Sequence, residues 1–204
     1  MINLDVIEKP TKQKTLSEIR NDINQYKFAT KHDLEMAGYE IDFSTGYLGR
    51  GAFGAVFKCT SDGKSYAVKL IPNKGPYQGE AFPDWKRGKI TAKNEQDTYK
   101  KIGSHANVIQ LETCLSSNHE LQLSSGLLHY KCIYTVMEFA DCGDLQQLLK
   151  REGTLKESMA KCLAKDLVAG VEYLHSLNIY HLDLKPENCL RSEKHTSELQ
   201  SHLN

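Results

Sequence analysis

Three residues suited to phosphoryl transfer lie within six positions of one another in the segment His-Leu-Asp-Leu-Lys-Pro-Glu-Asn at 181–188. Asp183 could orient a hydroxyl group, Lys185 could contact a phosphate, and the amide oxygen of Asn188 could bind a metal ion. A polar loop stiffened by Pro186 would give the same composition. That simpler interpretation leaves the glycines and the lysine upstream unexplained, so we favour the chemical one.

A glycine-rich segment upstream, Gly49-Arg50-Gly51-Ala52-Phe53-Gly54, fits a phosphate-binding loop. Three glycines in six residues often mark only a turn, so the context decides. A dinucleotide fold needs a helix directly after the third glycine, and a P-loop needs Lys followed by Ser or Thr. Here residues 55–59 continue as a strand. The pattern therefore predicts a loop between antiparallel strands whose backbone N–H groups can approach phosphate oxygens.

The next predicted strand carries a lysine. Ala67 and Lys69 are two positions apart, so they share one face of that strand, and the small Ala67 leaves room for a flat base beside the ammonium group. Taken alone, Lys69 is more simply explained as a solvated lysine. Glu95, in the predicted helix that follows, could hold Lys69 by an ion pair.

The elements that must position these residues are a small sheet and several helices. Asp62-Gly63 between two β-rich runs predicts a hairpin. Further along, the composition predicts a helix over 91–102 and strands over 108–114 and 130–139. The first part of the chain is therefore a small antiparallel sheet with one helix.

The second part is predicted to be helical. One helix covers 145–151 and stops at Gly153, and a longer one begins at a capping box formed by Thr154 and Glu157. An apolar stripe on the longer helix predicts that one face is buried. Its members are Ala160, Leu163, Ala164, Leu167, Val168, Val171 and Leu174.

A further short amphipathic helix is predicted near the N-terminus. Thr15 and Glu18 form a capping box there. The apolar residues spaced for one face are Leu16, Ile19, Ile23 and Tyr26. We favour packing of this helix against the domain over a role in binding a partner.

In this order, the motifs resemble the eukaryotic protein kinase family over about Tyr39 to Leu190. The resemblance implies an α+β fold, with a small antiparallel β-sheet lobe and one helix followed by the start of a mainly helical lobe. It also implies a division into domains. The parts are an N-terminal extension (1–38), a partial kinase domain (39–190, with lobes 39–139 and 140–190) and a tail (191–204).

The resemblance implies ATP and Mg²⁺ as cofactors. Lys69 would contact the α- and β-phosphates and pair with Glu95, Asp183 would be the catalytic base, and Lys185 would contact phosphate. Asn188 would be a magnesium ligand. The implied nucleotide-binding residues are Leu48, Gly49, Gly51, Gly54, Val56, Ala67, Lys69, Met137 as gatekeeper, Glu138 and Ala140 in the hinge, and Leu190.

The Lys185 motif resembles the serine/threonine branch, which predicts a protein substrate with a serine or threonine hydroxyl. The His-Leu-Asp form resembles calcium/calmodulin-dependent and myosin light chain kinases. Leu182 stands where many relatives have an arginine that receives an activation-loop phosphate, and leucine cannot bind one. A non-catalytic, nucleotide-binding pseudokinase or scaffold is the alternative, and a nicotinamide-dependent oxidoreductase is disfavoured by the strand after Gly54.

After Leu190, the resemblance calls for an Asp-Phe-Gly metal site and an activation segment, and neither is in the sequence. Residues 191–202 show no strand alternation and contain one apolar residue, Leu199. They fit either a natural polar tail or a translated sequencing adapter. We favour the adapter, and so expect a fragment without useful kinase turnover.

The composition excludes several classes of protein. The chain has 204 residues, 26 basic and 26 acidic, and 40% are hydrophobic, which is unlike disordered or collagen-like sequences. The balanced charge predicts no binding to nucleic acid or to an anionic membrane. No signal peptide or membrane span is apparent, which predicts the cytosol or nucleus. Six cysteines without C-x-x-C spacing are predicted to be reduced and mostly buried.

Overall fold

The computed structural model describes residues 15–51, 54–72 and 85–192, with residues 85–87 described by their backbone only. The helices are α1 (Leu16–Met36), α2 (Trp85–Ile102), α3 (Leu145–Glu152) and α4 (Glu157–Ser176), followed by a 3-10 turn at Pro186–Asn188. The strands are β1 (Glu40–Ile41), β2 (Tyr47–Arg50), β3 (Ala55–Ser61), β4 (Lys64–Pro72), β5 (Leu111–Leu123) and β6 (Gly126–Glu138).

The strands form one antiparallel sheet in the order β1-β3-β4-β6-β5, with β2 also paired to β3. The predicted hairpin joins β3 and β4. Its two turn residues, Asp62 and Gly63, have φ angles of 49° and 72°. Positive φ at both positions is typical of the type I′ turn that matches the twist of antiparallel strands. The hairpin prediction is confirmed.

The register of the sheet assigns the predicted nucleotide residues to one face. Val56 is the cross-strand partner of Lys69, which is also opposite Thr135, and Ala67 is opposite Met137. The Gln96 amide of α2 lies 3.4 Å from the Thr135 hydroxyl, so α2 packs on this same face. The expected sheet-plus-helix arrangement is therefore present, with α2 beginning six residues before the predicted start.

The other face of the sheet is covered by α1. The capping box at Thr15 and Glu18 is confirmed, with the Thr15 N–H 2.8 Å from the Glu18 carboxylate. The helix is longer than predicted and Leu16 is 75% exposed, so the buried face lies further along. The core that α1 forms with the sheet includes Tyr26, Ala29, Leu34, Ile41, Cys59, Val68, Leu70, Tyr130, Cys132, Tyr134 and Val136. The prediction that the N-terminal helix packs against the domain is confirmed.

A cavity of about 360 Å³ remains between α1 and this face. Among its lining residues are Ile23, Tyr26, Phe43, Phe57 and Tyr130. Phe57 follows Val56 on β3 and so points to the opposite face from the predicted nucleotide residues. Most of this cavity therefore lies on the opposite face of the sheet from Lys69, and Arg50 of the glycine loop also lines it.

β5 and β6 have 13 residues each and form a hairpin, where the sequence predicted two shorter strands over 108–114 and 130–139. The distal half of this hairpin packs under α1. Asp22 of α1 is buried and accepts hydrogen bonds from the backbone N–H and hydroxyl of Ser124, each at 2.8 Å. This contact pins the helix to the hairpin turn.

The prediction of a capping box at Thr154 and Glu157 is wrong. The N-cap of α4 is Lys156, which makes no side-chain capping bond. Thr154 belongs to the turn that ends α3, because its N–H donates to the Glu152 carbonyl at 2.9 Å. Gly153, with φ of 72°, ends α3 as predicted.

The prediction that α4 buries one face holds only at the C-terminal end of the helix. Leu174 is buried, whereas Val168 is 52% exposed and Ala160 and Ala164 are exposed as well. Within the described residues, α4 packs against the rest of the chain through its last turns. There, a Cβ added to Gly170 would lie 2.7 Å from the Asn107 carbonyl oxygen.

All six cysteines are free, as predicted. Only Cys59 and Cys132 are buried, so the prediction that most are buried is wrong for the other four, which are partly exposed. None of the described helices combines the length and the apolar character that crossing a membrane would need.

Candidate active site

Lys69 and Glu95 form an ion pair on the α2 face of the sheet. The Lys69 ammonium nitrogen lies 2.6 Å from a Glu95 carboxylate oxygen, and each side chain keeps about a quarter of its surface exposed (25% and 26%). The pairing suggested by the sequence is present in the structure. Because the pair is partly exposed, its ammonium group stays accessible to an anion.

The three glycines of the loop differ in how closely other atoms approach their Cα atoms. A Cβ added to Gly54 would lie 1.9 Å from the carbonyl oxygen of Leu70, so Gly54 is required by the close approach of β4. A Cβ at Gly49 or Gly51 would have no described neighbour within 4 Å. No described residue would therefore crowd a side chain at the first two glycines, and close approach of a phosphate needs such space. Ala52 and Phe53 lie outside the described residues.

The predicted adenine residues cluster around β3, β4 and the end of β6. Val56 is half-buried on β3, and Ala67 and Met137 are directly opposed across β4 and β6. Leu48, on β2, is 45% exposed. The Ala67–Met137 pair shares its face with Lys69, so an adenine there would be continuous with phosphates at the lysine.

The hinge residues 138–140 follow directly from β6. The Glu138 N–H donates to the Gln110 carbonyl at 2.9 Å, and the Glu138 carboxylate accepts from the Gln110 N–H at 3.3 Å. A hinge donor to adenine must therefore come from Phe139 or Ala140. The sequence reasoning missed Gln110, because nothing in its local pattern marks it as the residue that anchors the hinge.

The second cluster is the loop that follows α4. The ammonium of Lys185 lies 3.0 Å from the Asp183 carboxylate. The Asn188 amide nitrogen donates to the backbone carbonyl of Asp183 at 2.8 Å and to its carboxylate at 3.0 Å. The hydrogen bond from Lys185, and then that from Asn188, lowers the pKa of Asp183 below its ordinary value. The carboxylate is therefore ionised at neutral pH and can accept a hydrogen bond from a substrate hydroxyl.

The side-chain amide oxygen of Asn188 is available to bind a metal ion. Both of its hydrogen bonds to Asp183 use the amide nitrogen, so they do not consume the amide oxygen. Amide and carboxylate oxygens are the ligands that Mg²⁺ prefers. The amide oxygen of Asn188 therefore fits one ligand position of a magnesium ion.

Leu182, next to Asp183, adopts a strained backbone conformation. Its φ is 61°, in the left-handed region that costs a leucine roughly 1 kcal/mol or more, and its side chain is 94% exposed. Leu190, also exposed, forms an isolated bridge with Asp144 next to α3. Within the described residues, no hydrogen bond or ion pair joins the loop cluster directly to Lys69 and Glu95.

Comparisons with known proteins agree with this arrangement. The sequence profile of the protein kinase domain matches residues 44–200. The chain is 34% identical over 160 residues to the interferon-induced, double-stranded RNA-activated protein kinase of Rattus norvegicus, covering 72% of this chain and 28% of that protein. It is 36% identical over 149 residues to myosin light chain kinase A of Dictyostelium discoideum, covering 72% of this chain and 43% of that one.

A third relative is myosin light chain kinase family member 4 of Homo sapiens, 29% identical over 198 residues, covering 92% of this chain and 45% of that protein. The chain spans less than half the length of each of these relatives. The profile match covers well over half of the chain, and the matched region contains the glycine loop, the Lys69–Glu95 pair and the 181–188 loop. The chain belongs to the protein kinase family.

Proposed function

We propose that this chain supplies the nucleotide site and catalytic loop of a serine/threonine protein kinase, with MgATP as the phosphate donor. The observation that carries the proposal is the Lys69–Glu95 pair at 2.6 Å on the same sheet face as Ala67 and Met137. The Lys69 ammonium, fixed by Glu95, therefore lies on the same face as Met137 and the small Ala67. Binding of ATP would need a cation for its phosphates beside a surface for its adenine.

Each residue of the site would then have its own role in phosphate transfer. Lys69 would hold the α- and β-phosphates while Glu95 fixes the lysine side chain. Asp183, ionised at neutral pH, would accept the hydrogen bond of the substrate hydroxyl and take up its proton, and Lys185 would neutralise charge at the transferred phosphate. Asn188 would hold Mg²⁺ through its amide oxygen. When bound, Mg²⁺ supplies charge neutralisation at the phosphates.

Preference for serine or threonine is the finer part of the proposal. It is supported by Lys185, two residues after Asp183 in the motif of the serine/threonine branch, and by its direct contact with the Asp183 carboxylate. Three peptides with identical flanks and a central Ser, Thr or Tyr test it. We expect phosphate incorporation into the first two, and preferential labelling of the tyrosine peptide would contradict it.

Lys69→Met tests the site itself, with Lys64→Met as its matched control at the exposed start of the same strand. MgATP binding is measured on the 204-residue chain. Transfer is measured on that chain and on a form extended with the downstream sequence of its transcript, since no Asp-Phe-Gly motif occurs in the 204 residues. We expect Lys69→Met to lose about 10²- to 10³-fold in transfer with its melting temperature nearly unchanged.

Two results would decide against parts of the proposal. Wild-type turnover in Lys69→Met would remove Lys69 from the site. MgATP binding without transfer to any peptide by the extended form would favour the non-catalytic, nucleotide-binding alternative.

A further inference from the structure

A second cluster of chemically active side chains lies on the α1 face of the sheet, away from the nucleotide residues. His32 and Asp33 are in the last turn and a half of α1, and His119 is on β5. One ring nitrogen of each histidine and one carboxylate oxygen of Asp33 all lie within 4.8 Å of one another. The proposed kinase chemistry uses none of the three.

Asp33 is oriented by hydrogen bonds on both of its oxygens. The Tyr134 hydroxyl donates to one of them at 2.5 Å, and the other lies 2.6 Å from His119 Nε2. The Tyr134 hydroxyl also lies 3.3 Å from the Ser117 hydroxyl. A fixed carboxylate with supporting hydrogen bonds is a common surrounding for a metal ligand.

His32 distinguishes a metal site from a simple histidine–carboxylate hydrogen bond. The hydrogen bond between Asp33 and His119 does not involve His32. The ring of His32 nevertheless lies edge-on to that of His119, with the ring centroids 6.0 Å apart and the planes at 85°. A second imidazole at this position completes a set of two nitrogens and one oxygen.

We propose that His32, Asp33 and His119 bind a divalent transition-metal ion, with Zn²⁺ the best fit. Two imidazoles and a carboxylate suit Zn²⁺, whereas Mg²⁺ and Ca²⁺ take oxygen ligands. Ligands at about 2.1 Å from a tetrahedral Zn²⁺ are roughly 3.4 Å apart. Small side-chain rotations from the present spacing would therefore admit the ion, and water would take the fourth position.

The ion would fasten the end of α1 to β5, joining Asp33 to a residue 86 positions later. Binding to the folded chain alone stabilises it by mass action. At a hundredfold excess of free Zn²⁺ over its dissociation constant, we expect the melting temperature to rise by about 5 to 10 °C.

The test compares three forms of the 204-residue chain: wild type, His32→Asn and His129→Asn. His32 is exposed and not needed for the Asp33–His119 contact, so its replacement removes a ligand and leaves that contact in place. His129 is an exposed histidine on β6, paired with Glu120 rather than His119, and serves as the control. All forms also carry His195→Asn and His202→Asn, so that histidines outside the described residues do not bind the probe.

Melting temperature is measured with and without ZnCl₂ in a phosphine reductant, and visible spectra are recorded with CoCl₂. We expect a Zn²⁺-dependent rise and tetrahedral Co²⁺ bands in the wild-type and His129→Asn forms, and loss of both in His32→Asn. MgCl₂ should give no shift that depends on His32. The proposal is overturned if wild type shows neither signal, or if His32→Asn keeps them. Should His32→Asn fail to fold, His32→Gln and the wild-type Co²⁺ spectrum decide instead, and absence of tetrahedral bands overturns the proposal.

Discussion

The hydroxyl of Tyr173 on α4 donates a hydrogen bond to the carbonyl oxygen of Ile102, the last residue of α2. The Tyr173 ring also stacks on His105, with the centroids 4.4 Å apart and the planes within 12°. α2 carries Glu95, and α4 leads into the 181–188 loop. The two clusters of the candidate site are therefore linked through their supporting helices.

Tyr173→Phe should lower the free energy of unfolding by about 1 kcal/mol, because it removes this hydrogen bond and keeps the stacked ring. The exposed Tyr180→Phe, which lacks such a buried partner in the described structure, is the control and should change it by less than about 0.5 kcal/mol. Urea unfolding measures both. Equal effects of the two variants would count against a stabilising role for the Tyr173 hydrogen bond.

Gly170→Ala should destabilise the chain, although alanine in a helix usually stabilises by about 1 kcal/mol over glycine. The added methyl group would lie 2.7 Å from the backbone oxygen of Asn107, and such overpacking typically costs about 1 to 3 kcal/mol. Ala164→Gly, at an exposed position of the same helix, should cost about 1 kcal/mol from propensity alone. A Gly170→Ala variant that melts at or above the wild-type temperature would show that α4 does not pack as described.

Gly54→Ala should mainly lower the stability of the fold, whereas Gly51→Ala should mainly weaken nucleotide binding. At Gly54 the new methyl group would overlap the Leu70 carbonyl at 1.9 Å, so we expect a loss of about 3 kcal/mol or more in stability. No described residue would crowd a Cβ at Gly51, so its replacement should leave stability within about 0.5 kcal/mol and weaken MgATP binding. Thermal melting and calorimetric titration with MgATP distinguish the two outcomes, and the reverse pattern would refute the assignment of the loop.

The Asp183 carboxyl should titrate below its ordinary value of 3.8, and the Lys185 ammonium above 10.5. The stability contributed by the Asp183 shift is present above pH 3.8 and is lost as the pH falls through the lowered pKa. That from Lys185 is present below pH 10.5 and is lost as the pH rises through the raised pKa. The pair should therefore persist throughout the neutral range. Carbon-detected NMR titration measures the Asp183 pKa, which Lys185→Met should raise back toward 3.8.

Cys59 and Cys132 should resist alkylation at neutral pH. Burial raises the pKa of Cys59 to about 11 and that of Cys132 to about 12. At a pKa near 11, the reactive thiolate is about a hundredfold scarcer than at an ordinary value near 9. Iodoacetamide labelling followed by peptide mass spectrometry should show the partly exposed Cys142 and Cys162 labelled first. Early labelling of Cys132 would mean that the sheet opens readily beneath α1.

Features encoded within a few residues could be predicted from the sequence. Asp62-Gly63 determines a two-residue turn, and Thr15 with Glu18 caps a helix, because each interaction involves only near neighbours. The Lys69–Glu95 pair was suggested across 26 positions by the order of the motifs and is present in the structure. The roles assigned to the site residues stay predictions.

Features that depend on distant contacts could not be predicted in the same way. Thr154 and Glu157 match a capping box, but the turn ending α3 already uses the Thr154 backbone. The polar residues at 116–120 do not show the apolar alternation of a strand, so the sequence did not predict that β5 continues to Leu123. The inward face of this part of β5 is buried only by contact with α1 in the folded chain. Gly54 was predicted to serve phosphate approach, whereas its contact with Leu70 is a packing requirement that no spacing rule reveals.

The residues of the β5–β6 hairpin that hold α1 in place are synthesised long after the helix itself. Asp22 bonds to Ser124, 102 positions later, and Asp33 bonds to Tyr134, 101 positions later. At about 5 to 20 residues per second, the partners of α1 are synthesised roughly 5 to 20 seconds after the helix itself. During that interval, the part of the apolar face of α1 that packs on β5 and β6 is uncovered. α1 is therefore made well before the β5–β6 hairpin that completes its packing, and during this interval a chaperone would protect the nascent chain.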